Sequence, residues 1–227
     1  MARERPRLSV VIPTLNASEG LAATLAALGP ADEIIVVDGG SRDGTAALAR
    51  DIGARVIETA RGRGGQLAAG AMAATSDWIL FLHADTALSA GWREVVQRHL
   101  SRPDAEGQAA CFRFALDDDS PQARRLERWV TWRVAALALP DGDQGLLIHR
   151  SLYDRVGGFR PLPLMEDVDL VRRLGRRRVT VLDASAITSA RRWRQDGWLW
   201  RSARNLLCLA LFYAGVPAER IARLYGR

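Results

Sequence analysis

Short apolar runs alternate with alanine-rich stretches of helical length through the first half of the chain. This alternation limits it to an α/β fold on a mostly parallel sheet flanked by helices. Residues 8–12 (LSVVI), 33–37 (EIIVV), 54–58 and 78–82 (WILFL) read as strands, and 19–28, 43–51 and 66–75 as the intervening helices. Pro13 closes the first strand, Gly29-Pro30 the first helix and Gly53 the second. The strands are apolar throughout rather than alternating, the pattern of strands covered on both faces. The second half is less regular. It reads as a strand at 111–116, an amphipathic helix at 121–138 carrying Arg124, Arg125, Arg128 and Arg133, and a turn at 140–143 leading to a strand at 145–149. A short helix at 167–174, a strand at 179–182 and two helices at 197–214 and 217–224 follow.

No repeat or low-complexity linker divides these elements. The expectation is one domain over 1–227, with a nucleotide-binding half (1–100), an acceptor and catalytic half (101–190) and a helical C-terminal appendage (191–227). With 48% hydrophobic residues, 227 residues can bury a sizeable core without staples. Cys111 and Cys208 form no CxxC pair, which excludes a disulfide framework or zinc site and fits a reduced, cytoplasmic setting. The net charge of +6 admits nucleic acid, anionic lipid or a phosphorylated substrate as partner. The apolar run after the basic N-terminus is too short for a signal peptide, and the longest apolar stretch, 206–216, is shorter than the roughly 20 residues a bilayer requires.

In an open α/β sheet, ligands bind outside the carboxyl ends of the strands. That rule selects 13–16, 38–43, 61–66 and 83–86. Pro13-Thr14-Leu15-Asn16 can terminate a strand and cap a helix; it is neither GxGxxG nor a P-loop, so dehydrogenase and P-loop chemistry are excluded. In Asp38-Gly39-Gly40-Ser41-Arg42-Asp43, Asp43 suits a helix N-cap. Asp38 has no obvious partner and can accept hydrogen bonds from a base or ribose. Arg61-Gly62-Arg63-Gly64-Gly65-Gln66 is either a flexible loop or glycine-rich backbone presenting N–H groups and arginines to an anion. His83-Ala84-Asp85-Thr86 follows the most apolar strand; Asp85 can hold a hard divalent cation that also bridges a diphosphate, while His83 is a ligand, a hydrogen-bond donor or a cap.

Two further clusters lie downstream. Glu166, Asp167 and Asp169 open a helix, where acids suit the dipole, and one can serve as the general base of a group transfer. Arg191-Arg192-Trp193-Arg194, followed by Trp198, Trp200, Arg201 and Arg204, can close over a diphosphate, lie on an anionic lipid surface or simply pack helices.

In order, SVVIPTLN (9–16), EIIVVDGGSRDGT (33–45), RGRGGQLAAGA (61–71), WILFLHADT (78–86), GDQG (142–145), GGF (157–159) and EDVDL (166–170) resemble the family 2 glycosyltransferases of the GT-A fold, across residues 8–175. The small size and the RRWR segment are similar to a small bacterial subgroup. The resemblance implies that Pro13, Thr14, Asn16 and Asp38 hold the nucleotide, with Arg63 and Gly64 near the base or phosphates. It implies that His83 and Asp85 occupy the family's DxD position, with Asp85 binding Mn²⁺ or Mg²⁺, and that Asp167, beside Glu166, is the catalytic base. Asp143, Gln144 and Gly158 would shape the sugar and acceptor pocket, and Arg191, Arg192 and Trp193 would face the diphosphate. The chain departs from the pattern at His83, where many members carry Asp.

The expected function is therefore metal-dependent, inverting transfer from a nucleotide-diphosphate sugar to a small-molecule or lipid acceptor. A nucleotidyltransferase and a non-catalytic basic membrane-surface protein are the alternatives. Nucleic acid is not expected as a partner, because acids at four strand and helix ends would repel a polyanion. Residues 197–216 are the candidate contact with the inner face of the cell membrane.

Overall fold

The structure, a computed structural model, describes residues 6–137, 139, 140 and 142–225. Ala138 and Asp141, which belong to the expected helix and turn of the middle region, lie outside the described residues. The first unit runs β1 (Leu8–Thr14), α1 (Ser18–Leu28), β2 (Glu33–Asp38), α2 (Thr45–Asp51), β3 (Arg55–Glu58), α3 (Arg63–Ala73) and β4 (Trp78–Phe81). These four strands pair in parallel in the order β3-β2-β1-β4. The chain thus moves outward from β1 to β3 and returns to β4 on the other side of β1. That reversal opens a crevice between the carboxyl ends of β1 and β4, the place where such sheets take ligands.

Every residue of β1 is buried, because helices cover both faces. Side chains alternate across the strand: Val10 and Ile12 pack with Leu21, Leu25 and Leu28 of α1, while Val11 packs with Leu67 and Ala71 of α3. α3 crosses β1 so closely that a Cβ on Gly70 would collide with the Val11 side chain, so this helix needs glycine at its crossing point.

The remaining elements are β5 (Thr86–Leu88), α4 (Trp92–Leu100), β6 (Ala109–Leu116), α5 (Pro121–Leu137), β7 (Leu146–His149), α6 (Arg150–Arg155), α7 (Glu166–Leu174), β8 (Val179–Thr188), α8 (Arg191–Asp196), α9 (Trp198–Tyr213) and α10 (Ala218–Tyr225). They extend the sheet to β3-β2-β1-β4-β7-β6-β8-β5. β7 runs antiparallel to both β4 and β6, and β5 antiparallel to β8, so the sheet is mixed. A third apolar cluster joins Phe114 and Leu116 of β6 to Val130 and Val134 of α5 and Trp193 of α8. A fourth fixes α9 and α10, through Cys208 and Ile221, against Leu164 just before α7.

Several elements differ from the sequence reading. α3 begins three residues earlier than expected, so Arg63 and Gly64 are helical rather than loop. β8 continues to Thr188, because beyond Leu182 it alternates buried and exposed positions instead of staying apolar. Asp43 stands one residue before the N-cap of α2, which is Gly44, in the left-handed region at φ 83°. Asp43 accepts bonds from the Thr45 amide (3.1 Å) and from the Ser18 amide (3.1 Å) and hydroxyl (2.9 Å), lacing α2 to α1. Both cysteines are buried free thiols.

Candidate functional site

The parallel register of β1 and β2 sets Thr14 directly beside Asp38 at the crevice. Asp38 is buried, but contrary to the sequence reading it is fully partnered. Oδ1 accepts from the Thr14 hydroxyl (3.0 Å) and from the Ser41 hydroxyl, and Oδ2 from the amides of Gly40 (3.1 Å) and Ser41 (2.8 Å). Burial favours the neutral acid, yet these bonds, led by Ser41, hold the carboxyl below its ordinary range. Asp38 therefore shapes the turn that follows β2. Asn16, with φ 49°, donates its amide to Ser41 Oγ and accepts from the Arg42 amide, both at 2.8 Å, closing the same loop. Pro13 is buried within β1.

The sequence reading places Gln66 at the end of the glycine-rich segment and the start of a helix, with no contact assigned to it. It is buried in α3, and its Nε2 donates to the carbonyls of Thr14 (2.8 Å) and Val37 (2.7 Å), tying the ends of β1 and β2 together. A polar residue one turn into a helix gives no sequence signal of such a contact; the register of the two strands creates it.

Arg63 is tied to the start of α7. Its Nε is bonded to Oε1 of Glu166, which is wholly buried at the start of α7. Burial opposes the guanidinium charge, but Glu166, Asp167 and Asp143 together raise its proton affinity above the ordinary value. Glu166 is thereby committed to an ion pair and is not positioned as a base, which corrects that expectation. Gly64 also serves packing: a Cβ there would collide with the Arg160 carbonyl and lie 2.9 Å from the Leu162 amide.

Asp167 occupies a different position. Met165, in left-handed backbone at φ 65°, turns the chain into α7, and Asp167 emerges at the helix start. Its Oδ2 accepts the Gly142 amide and its Oδ1 the Val168 amide, both at 2.8 Å. Gly142 belongs to a one-turn 3-10 helix, Gly142–Gln144. A Cβ on it would stand 2.8 Å from His83 Nε2 and 3.0 Å from Asp167 Oδ2, so both side chains converge on this backbone. His83 Nδ1 bonds Asp143 Oδ1 at 2.7 Å. Burial would raise the Asp143 pKa, but His83, Arg63 and Arg192 bring it down to about 2.

Arg63, His83, Asp143, Asp167, Arg192 and Trp193 all line one cavity of about 150 Å³. Three of the candidates for the acceptor pocket and the diphosphate lie elsewhere. Gln144 is buried and donates to the Phe112 carbonyl (2.9 Å), so it supports β6 instead of facing an acceptor. Gly158, at φ 58°, packs against the Tyr153 ring, and its carbonyl accepts from Arg173 (2.7 Å). Arg191 pairs with Glu19 of α1, on the surface.

Asp85 follows β4 and faces the start of α1, where a Cβ on Gly20 would lie 3.3 Å from its own. Among the described residues no group of three or more His, Cys, Asp or Glu is arranged to hold a metal, and none hydrogen-bonds the Asp85 carboxylate. Mg²⁺-like cations are commonly held by one or two carboxylates plus substrate phosphates. A lone, unpaired carboxylate at a strand end fits a cation that arrives with a diphosphate, not a resident one.

The sequence profile described as glycosyl transferase family 2 matches residues 9–162, more than half of the chain and nearly all the segments above. The chain belongs to glycosyl transferase family 2. Uncharacterized glycosyltransferases of Mycobacterium tuberculosis and Mycobacterium bovis are 40% identical over 85 residues, 37% of this chain and 39% of theirs. The match thus spans well under half of these curated relatives. Among solved structures, a mannosyltransferase from Pyrobaculum calidifontis in complex with GDP-Man and Mn²⁺ is similar with a TM-score of 0.62 at 22% identity, over 82% of this chain and 57% of the other. Glucosyl-3-phosphoglycerate synthase from Mycobacterium tuberculosis, in complex with Mn²⁺, UDP-glucose and phosphoglyceric acid, has a TM-score of 0.56 at 22% identity, over 81% and 70%. These likenesses establish the GT-A fold for this family 2 chain. The mixed, mostly parallel sheet described above is that fold.

Proposed function

We propose that this family 2 protein is an inverting glycosyltransferase that moves a sugar from a nucleotide-diphosphate sugar to an acceptor hydroxyl. What carries the reading is Asp167: a carboxylate fixed by two backbone amides, facing a cavity shared with Asp143 and His83 at the end of β4. In the reaction, the acceptor oxygen bonds to the anomeric carbon, and the bond from that carbon to the diphosphate breaks. Asp167 takes the acceptor proton, as a general base must. Its amide bonds hold the carboxylate in place, so little reorganisation is needed when it acts. Arg192 supplies positive charge beside the departing diphosphate, and Arg63, held by Glu166, offsets part of the negative charge of Asp143 and Asp167. The donor lies in the crevice between β1 and β4, with residues 1–100 forming its side and 101–190 the acceptor side.

A Mn²⁺ or Mg²⁺ ion bound with the diphosphate would neutralise charge on the leaving group, and Asp85 is the residue that would hold it. The GDP-Man and UDP-glucose complexes of the similar structures, both with Mn²⁺, support this reading. A thermal-shift screen of nucleotides and nucleotide sugars with Mn²⁺, repeated with chelator, tests it. At least one nucleotide sugar is expected to raise the melting temperature, with the rise shrinking on chelation and in Asp85→Asn. A rise indifferent to both would remove Asp85 and the cation from the account, and release of pyrophosphate during turnover would contradict sugar transfer.

A further inference from the structure

Helix α9 departs from normal surface chemistry. A helix on the outside of a protein turns its apolar stripe inward and its charges to water. α9 packs Cys208, Leu211 and Phe212 inward, but it turns its charges inward too and leaves a second apolar stripe outside. Its two arginines face the protein: Arg201 is buried, bonds Asp196 at 2.7 Å and lies over the Trp193 ring at 4.9 Å, while Arg204 bonds the same carboxylate at 2.8 Å and lies over the Tyr225 ring at 4.7 Å. The outward positions, at helical spacing, are Leu199, Trp200, Ala203, Leu206, Leu207, Ala210 and Tyr213, without a charge among them. Leu199 is 88% exposed and Trp200 68%. Among the described residues no helix is long and apolar enough to cross a membrane, so an outward apolar face here is a surface and not a span.

Basic and aromatic residues frame this face. On α5, Arg125, Arg128 and Trp132 are exposed at helical spacing beside Trp129, and neither arginine is ion-paired among the described residues. At the other end, Arg172 lies 5.1 Å from the Tyr213 ring centre, and Arg176 reaches the carbonyl of Ala136 on α5. Tryptophan, tyrosine and arginine around an apolar patch match the chemistry of an anionic bilayer surface.

The cavity at Asp167 leads to the same face. Its polar end holds His83, Asp143 and Asp167, while its far end runs between α5 and α9 along Leu126, Trp129 and Leu206. Leu209 also lines a second, largely apolar groove of about 510 Å³, bounded by Leu137, Val171 and Tyr213. A second protein copy on α9 would close this mouth, whereas a bilayer would feed it.

We propose that α9 and the exposed edge of α5 rest on an anionic membrane surface, and that the acceptor is a long-chain lipid alcohol. Its hydroxyl reaches Asp167 through this cavity while its tail lies in the groove between α5 and α9. The inference rests on the glycosyltransferase reading above and names its acceptor class. The acceptor proton passes to Asp167, the lipid oxygen replaces the nucleoside diphosphate on the sugar, and no other reactant is needed.

The test uses the full chain, sedimented with phosphatidylcholine vesicles with and without phosphatidylglycerol, and the double variant Leu199→Asp with Trp200→Asp. Both positions point to solvent and lie outside the cavity. The wild type should co-sediment with the phosphatidylglycerol vesicles. The variant should lose about tenfold or more of that partitioning, since burying one such side chain is worth that much. It should also lose sugar incorporation into the butanol-soluble fraction of vesicles made from a bacterial total polar lipid extract. Its nucleotide-sugar thermal shift should be unchanged. Equal sedimentation of variant and wild type, no sedimentation of either, or a wild-type dimer that the variant breaks would each overturn the proposal. In those cases an intact donor shift leaves the glycosyltransferase reading standing; loss of the donor shift in the wild type would sink that reading instead.

Discussion

Replacing Gly142 by alanine isolates the geometry on which the site depends. The new Cβ would stand 2.8 Å from His83 Nε2, 2.9 Å from His83 Cε1 and 3.0 Å from Asp167 Oδ2. Carbon atoms do not approach nitrogen or oxygen so closely without bonding, so both side chains must retreat by a few tenths of an ångström or more. Each is also held from behind, His83 by Asp143 at 2.7 Å and Asp167 by the Val168 amide at 2.8 Å. Overpacking of this kind costs about 1–3 kcal/mol. In a domain of this size each kcal/mol lowers the melting temperature by roughly 2–4 °C, so a fall of about 2–12 °C is expected. The catalytic effect should be larger, because a misplacement near 1 Å can cost about a hundredfold in rate. Donor binding depends on the crevice between β1 and β4 and should change little. Gly65→Ala is the control: nothing lies within 4 Å of a Cβ there. Within a helix that change should be neutral or stabilise by about 0.5–1 kcal/mol. Steady-state transfer, donor thermal shift and melting curves on both variants suffice. If Gly142→Ala keeps its turnover within about twofold of wild type, the convergence of His83 and Asp167 on this backbone does not matter to the reaction.

Two further perturbations address the electrostatics. Glu166→Gln keeps a group that can accept from Arg63 but removes the buried charge; it should cost about 1.5–3 kcal/mol, less than the 3–5 of losing a partner outright, read as a lower denaturation midpoint. An unchanged or raised midpoint would mean that the pair fixes the position of α7 without stabilising the fold. For Asp143 the folded pKa is about 2 against an ordinary 3.8, so its contribution is complete above about pH 4 and is lost as the pH falls through 2. Chemical denaturation between pH 4 and pH 2 should show about 2 kcal/mol of lost stability that Asp143→Asn lacks; an identical slope in both proteins would place the acid sensitivity elsewhere.

The parts of the fold legible in the sequence were those in which one local property decides the outcome. β1, β2 and β4 are buried on both faces and therefore read as unbroken apolar runs. The positions of Thr14, Asp38 and His83 at the crevice followed from those runs and the rule for strand ends. α4, with REVVQRHL after its tryptophan, carries apolar residues on one narrow stripe, and the six-residue helices α6 and α8 are too short for any period to emerge. β5 is three residues long and exists because β8 pairs with it from about a hundred residues away. The site shows the same division. Asp167 could be picked out by type and position, but Glu166 beside it could not be separated from it until Arg63 was seen to claim that carboxylate. Asp38 looked unpartnered because its partners are uncharged: amides and a hydroxyl of the turn that directly follows it, and Thr14, 24 residues away on the neighbouring strand. Gly64, Gln144 and Gly158 sit inside motifs yet serve packing, which only the contacts around them reveal. Residues 197–216 stood out as a membrane contact, but which face of α9 turns outward did not, because a helix with both arginines and leucines has no orientation until Asp196 draws the arginines inward.

The most direct measurement of the central claim is sugar transfer by Asp167→Asn, assayed with whichever nucleotide sugar gives the largest thermal shift. The amide side chain keeps the shape of the carboxylate and can still accept the Gly142 amide, but it cannot take the acceptor's proton. Transfer should fall by about a hundredfold to ten-thousandfold, the usual worth of a general base, while the donor-induced thermal shift stays at its wild-type value. Transfer at the wild-type rate by this variant would contradict the role of Asp167 and with it the mechanism built on this cavity.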